Sequence, residues 1–112
     1  MEPRTVLRLL RELILLGRWE QVGEQLDLLH VDAIGQTLTG LDRVRLERAF
    51  SLLPAARRPA VFARLGGMEQ RLLLDALDTQ RARRIVRGLL PEHRQALLQS
   101  RAVDQHLRAA LN

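Results

Sequence analysis

Arginines near the C-terminal end of the sequence form its strongest candidate for a binding surface. Four of them share one predicted helix and a fifth follows it: Arg81, Arg83, Arg84, Arg87 and Arg94. Their charge would attract the carboxylates of an acidic protein partner or the phosphates of a nucleic acid. A third interpretation is a solvated helix face, partly neutralised by Asp75 and Asp78. Nucleic acid is disfavoured, because the chain has few aromatic side chains for base stacking and no helix-turn-helix signature.

Acidic residues and histidines are the other groups that could hold a metal ion. A hard divalent cation needs several oxygen ligands, and the sequence spreads its acids along several elements. The spacing therefore predicts a solvated acidic face with weak magnesium binding at most, and no built metal site. The histidines show no pair at the helical spacing of four, and His30 is predicted to cap or pack at a helix junction. The residues considered are Glu24, Asp27, Asp32, Asp42, Glu92, His30, His93 and His106.

Nothing in the sequence has the pattern of a catalytic centre or a cofactor site. Cysteine is absent, and Ser51 and Ser100 stand in helical contexts without a base beside them. The Gly66-Gly67 pair lacks the lysine and the spacing of a phosphate-binding loop, so it is interpreted as a turn. We predict that the protein is not an enzyme and that it binds no cofactor.

A twelve-residue repeat predicts the elements that position these side chains. Such a repeat indicates stacked units, each of which buries its apolar face against its neighbours. Units of this length leave room for helices of about 9–11 residues, which are marginal alone in water. The fold prediction is all-α, a solenoid-like superhelix of about eight or nine short helices. The repeating residues are Leu29, Leu41, Leu53, Leu65, Leu77 and Leu89, preceded at three residues by Leu26, Leu38, Phe50, Phe62, Leu74 and Val86, with Leu98 at the end of the second series.

Local signals predict where the helices begin and end. Pro3 suits a first helical turn and Gly17 a left-handed C-terminal cap. Asp42 is predicted to cap the fourth helix through its carboxylate, and Pro54 to open the fifth. The seventh and eighth helices are predicted to start near residues 78–79 and 90–91, and a ninth to cover about 103–111.

Composition limits the protein to one modest domain, predicted to span residues 1–112. Apolar residues make up 46% of the chain and the formal net charge is +5. Residues 1–78 contain 11 Arg and 11 Asp or Glu, whereas residues 79–112 contain 7 Arg and 2 acids, so the excess lies in the second segment. No apolar run approaches the ~20 residues that span a bilayer. We predict a cytoplasmic protein without membrane insertion.

The segment from about residue 9 to 98 resembles the cytosolic N-terminal domain of MgtE-type magnesium transporters. The likeness rests on the repeat rhythm and on the stretch LLHVDAIGQTL, where Val31 replaces the usual proline. A related rhythm occurs in the middle domain of flagellar motor-switch proteins. The MgtE-type resemblance implies a superhelix of short helices with a regulatory role and acids that help to hold magnesium. Where that family has paired aspartates, this chain has Glu92 followed by His93 and Arg94, so the magnesium site is not expected here.

Three functions follow from these observations. The first is a non-catalytic helical-repeat interaction or regulatory module that binds an acidic protein through the arginine-rich helix. The second is a magnesium-sensing regulatory domain of a magnesium transporter. The third is a nucleic-acid-binding protein whose affinity would fall steeply with salt. The first is the function predicted from the sequence.

Overall fold

The computed structural model describes residues 3–100 and residue 108, and within these residues the chain forms eight helices and no strand. The predicted all-α class is confirmed. The predicted ninth helix lies outside the described residues except at Arg108. The helices are α1 Pro3–Leu15, α2 Trp19–Leu28, α3 Val31–Leu38, α4 Arg43–Ser51, α5 Arg58–Ala63, α6 Gly67–Ala76, α7 Thr79–Gly88 and α8 Pro91–Gln99.

Side-chain caps start three of the helices. The Asp42 carboxylate accepts from the main-chain N–H of Arg45 at 3.3 Å, and the Asp78 carboxylate accepts from that of Arg81 at 2.8 Å. His30 Nδ1 accepts from the N–H of Asp32 at 3.3 Å and begins α3. These bonds satisfy amides that have no partner within the helix. The predicted capping roles of Asp42 and His30 are confirmed.

The end of α1 is a turn built on glycine, as the sequence predicts. Gly17 has φ +71°, a conformation that costs glycine little. The N–H of Gly17 donates to the carbonyl of Ile14 at 3.1 Å, and the N–H of Arg18 donates to that of Leu13 at 3.0 Å. This pair of bonds is the Schellman arrangement, and it turns the chain sharply into α2.

The fifth helix begins later than predicted. Pro54 does not open it, because Pro59 lacks the N–H that would donate to the carbonyl of Ala55. Residues 55–57 form a turn, in which the N–H of Arg57 donates to the Pro54 carbonyl at 2.9 Å. Helix α5 then starts at Arg58 and has only 6 residues.

Alternate helices pack against each other in two rows. Helix α4 contacts α2 and α6, while α5 contacts α3 and α7; α1 covers one end, against α2, α3 and α4. The apolar positions of the sequence repeat supply much of the core between the rows. Leu29, Leu77 and Leu98 are half-buried. The buried members are Leu26, Leu38, Leu41, Phe50, Leu53, Phe62, Leu65, Leu74, Val86 and Leu89.

Helix α5 approaches its two neighbours closely at glycines. A Cβ on Gly35 of α3 would lie 2.7 Å from the Cβ of Arg64, and a Cβ on Gly88 of α7 would lie 2.5 Å from Pro59 Cγ. Both distances are shorter than real carbon–carbon contacts, so these two positions need a residue without a side chain.

The longest described helix, α1, has 13 residues. None of the described helices combines the length and the apolar character that crossing a membrane requires.

Candidate functional site

Helix α7 carries four of the five arginines that the sequence singles out. Its buried side consists of Ala82, Ile85 and Val86, which pack into the core. The remaining faces therefore project into solvent, and the arginines on them are exposed. Those exposed residues are Arg81, Arg83, Arg84 and Arg87.

Asp78 accounts for part of the charge on this helix. Its carboxylate caps α7 and lies 3.6 Å from Arg81 Nε, with 70% of the Arg81 side chain still exposed. Asp75 pairs instead with Arg71 of its own helix, at 3.1 Å. Of the two acids that the sequence suggested as partners of α7, Asp78 thus pairs with Arg81 of that helix, whereas Asp75 pairs with Arg71 of α6.

The fifth arginine, Arg94, is half-buried and has a different environment. Its guanidinium donates to the carbonyls of Val86 at 3.2 Å, Arg87 at 3.1 Å and Leu89 at 3.4 Å. Carbonyls at the C-terminal end of a helix have no partner within it. Arg94 therefore caps α7 from the first turn of α8, a role that the sequence analysis did not assign to it.

Other side chains cap helix ends in the same way. Arg58 donates to the carbonyl of Ser51, the last residue of α4, at 3.1 Å and to that of Leu53, just after it, at 3.0 Å. Gln70 donates to the carbonyl of Phe62 in α5 at 3.0 Å. Arg57 donates to the carbonyls of Leu26 and Leu29 at the end of α2. Arg11 donates to carbonyls at the end of α3, those of Gln36, Thr37 and Thr39.

A groove of about 490 Å³ lies beside α7, between α4, the turn before α5 and α6. Its floor is apolar, and its rim carries three arginines and one glutamate. The floor and walls include Phe50, Ala55, Pro59, Leu73, Leu77 and Ile85, and the charged rim is Glu47, Arg58, Arg81 and Arg84.

Only some of the α7 arginines that the sequence predicted as a binding surface line this groove. Arg81 and Arg84 line it, whereas Arg83 and Arg87 of the same helix do not. Among the described residues, no ion pair or side-chain hydrogen bond engages the guanidinium of Arg84. Arg58 joins the rim from a distant part of the sequence. Its guanidinium is held there by its hydrogen bonds to the Leu53 and Ser51 carbonyls.

The acidic candidates for a metal site do not converge. Asp32 accepts from Arg64 Nε at 2.9 Å. Asp42 accepts from Arg45 Nη1 at 2.8 Å, and this hydrogen bond lowers the pKa of Asp42 below its ordinary value. Within the part of the chain that the structure describes, no three His, Asp or Glu side chains are grouped to hold a metal ion. His106 lies outside that part.

The remaining candidates occupy separate places. Glu24 and Asp27 are exposed on α2, and Glu92 is exposed at the start of α8, where His93 is half-buried. The hydroxyls of Ser51 and Ser100 each donate at 2.7 Å to a carbonyl of their own helix, at Arg48 and Leu97.

Glu69 is an acidic residue that the sequence analysis missed. It is 7% exposed, and its Oε1 accepts from the N–H of Gly40 at 3.0 Å. Gly40 has φ +89°, so the turn between α3 and α4 is held to the first turn of α6 by this bond. An acid three residues after a helix N-cap is a typical capping position, but that position predicts a bond to the N-cap N–H and not to Gly40.

A smaller groove of about 260 Å³ lies on α1 and is lined mainly by Val6, Leu9, Leu13 and Leu16. Leu9 and Leu16 are 45% and 70% exposed, so α1 presents an apolar outer face.

Comparison of the chain with models of protein families, with curated proteins and with solved structures found no match.

Proposed function

We propose that this protein is a non-catalytic helical-repeat module that docks an acidic protein partner through the basic surface of α7. The observation that carries the proposal is the exposure of Arg81 and Arg84 on a helix whose apolar residues Ala82, Ile85 and Val86 are buried. A cluster of exposed like charges attracts oppositely charged partners and accelerates their association. The surplus of arginine over acidic residues in residues 79–112 likewise supports a negatively charged partner.

We further propose that the helices form a superhelix with a twelve-residue repeat, like the cytosolic domain of MgtE-type transporters. The helix starts support this: N-cap residues stand at 18, 30, 42, 66, 78 and 90, whose intervals are 12 or 24. Carbonyl caps at Arg58, Gln70 and Arg94 follow the same interval. Such a scaffold in the cytoplasm would present a continuous surface to a partner.

The surface is tested by titrating the full chain with two probes, poly-L-glutamate and a DNA duplex, at about 50 and 200 mM salt. We expect poly-L-glutamate to bind, and the double variant Arg84→Glu, Arg87→Glu to bind it at least about tenfold more weakly, equivalent to ~1.4 kcal/mol. Arg4→Glu with Arg8→Glu is the matched control, since both residues are exposed on α1.

Equal weakening by both double variants would contradict a role for α7. Tighter binding to DNA than to poly-L-glutamate, with a steep loss between the two salt concentrations, would instead assign the arginines to phosphate contacts.

A further inference from the structure

The groove beside α7 has the chemistry of a peptide-binding site. We infer that it takes a short acidic segment of a partner protein that inserts one large apolar side chain between α4, α6 and α7. This inference rests on the proposed function and specifies how the acidic partner is held. Three properties of the groove carry it: its apolar floor, the sign of its rim and the spacing of its arginines.

The floor calls for an apolar side chain. Phe50, Leu73 and Ile85 belong to the buried core, yet each also lines the groove, and Leu77 is half-buried beside them. The volume of 490 Å³ lies within the range of about 300–1,000 Å³ that is typical of ligand sites. The apolar surface that an inserted leucine or phenylalanine would cover belongs mainly to Ala55, Pro59 and Leu77, since Phe50, Leu73 and Ile85 are at most 5% exposed. Covering such surface is the main favourable term in association.

The rim calls for negative charge on the α7 side. The charged lining residues are three arginines, Arg58 of α5 with Arg81 and Arg84 of α7, and one acid, Glu47 of α4. Arg58 is held in place by its bonds to the Leu53 and Ser51 carbonyls, so its position costs the complex little ordering. Glu47 repels carboxylates from the α4 side and so sets the orientation of an acidic segment.

The spacing of the α7 arginines fits an extended segment. Residues three apart on a helix have Cβ atoms about 5–6 Å apart, which describes Arg81 and Arg84. Alternate residues of an extended chain lie about 7 Å apart on the same side. Two carboxylates at alternate positions can therefore pair with the two guanidinium groups. An apolar side chain at the next alternate position lies on the same side of the segment and can enter the groove.

A nucleic acid fits the groove less well. Phosphates would meet Glu47 at the rim, and the floor offers aliphatic side chains and one phenylalanine ring where bases need stacking platforms. An acidic peptide satisfies both the floor and the rim.

The test compares two probes of equal charge on the uniformly ¹⁵N-labelled full chain by NMR titration. The first is an eight-residue peptide, Asp-Asp-Leu-Asp-Glu-Phe-Asp-Asp, and the second has serine in place of its leucine and phenylalanine. We expect the first to bind at least about tenfold more tightly, with amide shifts centred on Leu73 and Ile85.

A pair of adjacent alanines supplies the matched variants. Ala55 lines the groove and Ala56 does not, and both are exposed in the same turn. Ala55→Trp fills the groove without changing any charge and is expected to abolish the tenfold preference, whereas Ala56→Trp retains it. The same comparison can be made at the rim with Arg84→Glu, which changes a lining residue, and Arg87→Glu, which does not. This second pair of variants tests the groove even if a tryptophan variant does not fold.

The outcomes separate this inference from the function on which it rests. If the two probes bind equally and Ala55→Trp changes nothing, an acidic partner is bound outside the groove; the inference is then wrong and the proposed function stands. If neither probe binds, both fail. Equal binding of an uncharged peptide with the same leucine and phenylalanine would overturn the acidic specificity.

Discussion

Four arginine side chains donate to main-chain carbonyls at the C-terminal ends of α2, α3, α4 and α7. These guanidinium groups each contact two or three carbonyls at once, which a lysine ammonium on a flexible stem does less well. The absence of lysine from the chain thus has a structural counterpart at these four positions. The capping bonds also distinguish Arg94, which caps α7, from the exposed arginines that we propose bind the partner.

Replacing Arg94 tests this division. We expect Arg94→Met to lower the free energy of unfolding by about 1–2 kcal/mol, because three carbonyls lose a charged donor at a half-buried site. Arg87→Met, on the exposed face of α7, is expected to change it by less than about 0.5 kcal/mol. Urea unfolding of both variants measures the difference, and equal losses would contradict the capping role.

The helices depend on each other because they are short. The described helices have 6 to 13 residues, and isolated helices of that length are marginal in water. The row formed by α3, α5 and α7 is the tightest place in the packing, since Gly35 and Gly88 allow α5 to approach both neighbours. Gly23 of α2, by contrast, has open space around its Cα.

Alanine at three of the helical glycines should therefore have opposite effects. Gly88→Ala and Gly35→Ala are expected to destabilise the protein by about 1–3 kcal/mol, since the added carbon overlaps Pro59 or Arg64. Gly23→Ala should stabilise it by about 0.5–1 kcal/mol, because alanine is the better helix former and nothing obstructs it. Thermal unfolding would report all three, and a stabilised Gly88→Ala would mean that α5 and α7 are further apart than described.

The whole molecule combines an elongated body with a positive charge. Its principal extents are 43 × 24 × 22 Å, and the sequence has a formal net charge of +5. A net positive charge favours approach by acidic partners and opposes the accumulation of free divalent cations. The sign of the charge therefore supports a docking function over a magnesium-sensing function.

A thermal melt with and without millimolar Mg²⁺, at matched ionic strength, distinguishes these functions. We expect the same Tm in both conditions, because only a ligand that binds the folded state raises it. A rise specific to Mg²⁺ would support the magnesium-sensing alternative and direct attention to Glu24, Asp27, Asp32 and Glu92.

Features that depend only on nearby residues could be predicted from the amino-acid sequence. Caps such as Asp42 and Gly17 act within about four residues of a helix end, so their effect could be predicted without knowing any neighbour. The apolar periodicity likewise predicted buried positions such as Phe62 and Leu65. The late start of α5 is also encoded locally, by Pro59, although Pro54 is the first proline at which a helix could open.

Tertiary structure alone decided which of the exposed and polar residues act together. Arg57 and Arg58 are adjacent in sequence, yet one caps α2 and the other caps α4 and borders the groove. The groove itself joins residues from 47 to 85, and the bond from Gly40 to Glu69 spans 29 positions. The physical reason is that helical periodicity determines the side of the helix on which a residue lies, whereas the partner of that side depends on how separate helices pack.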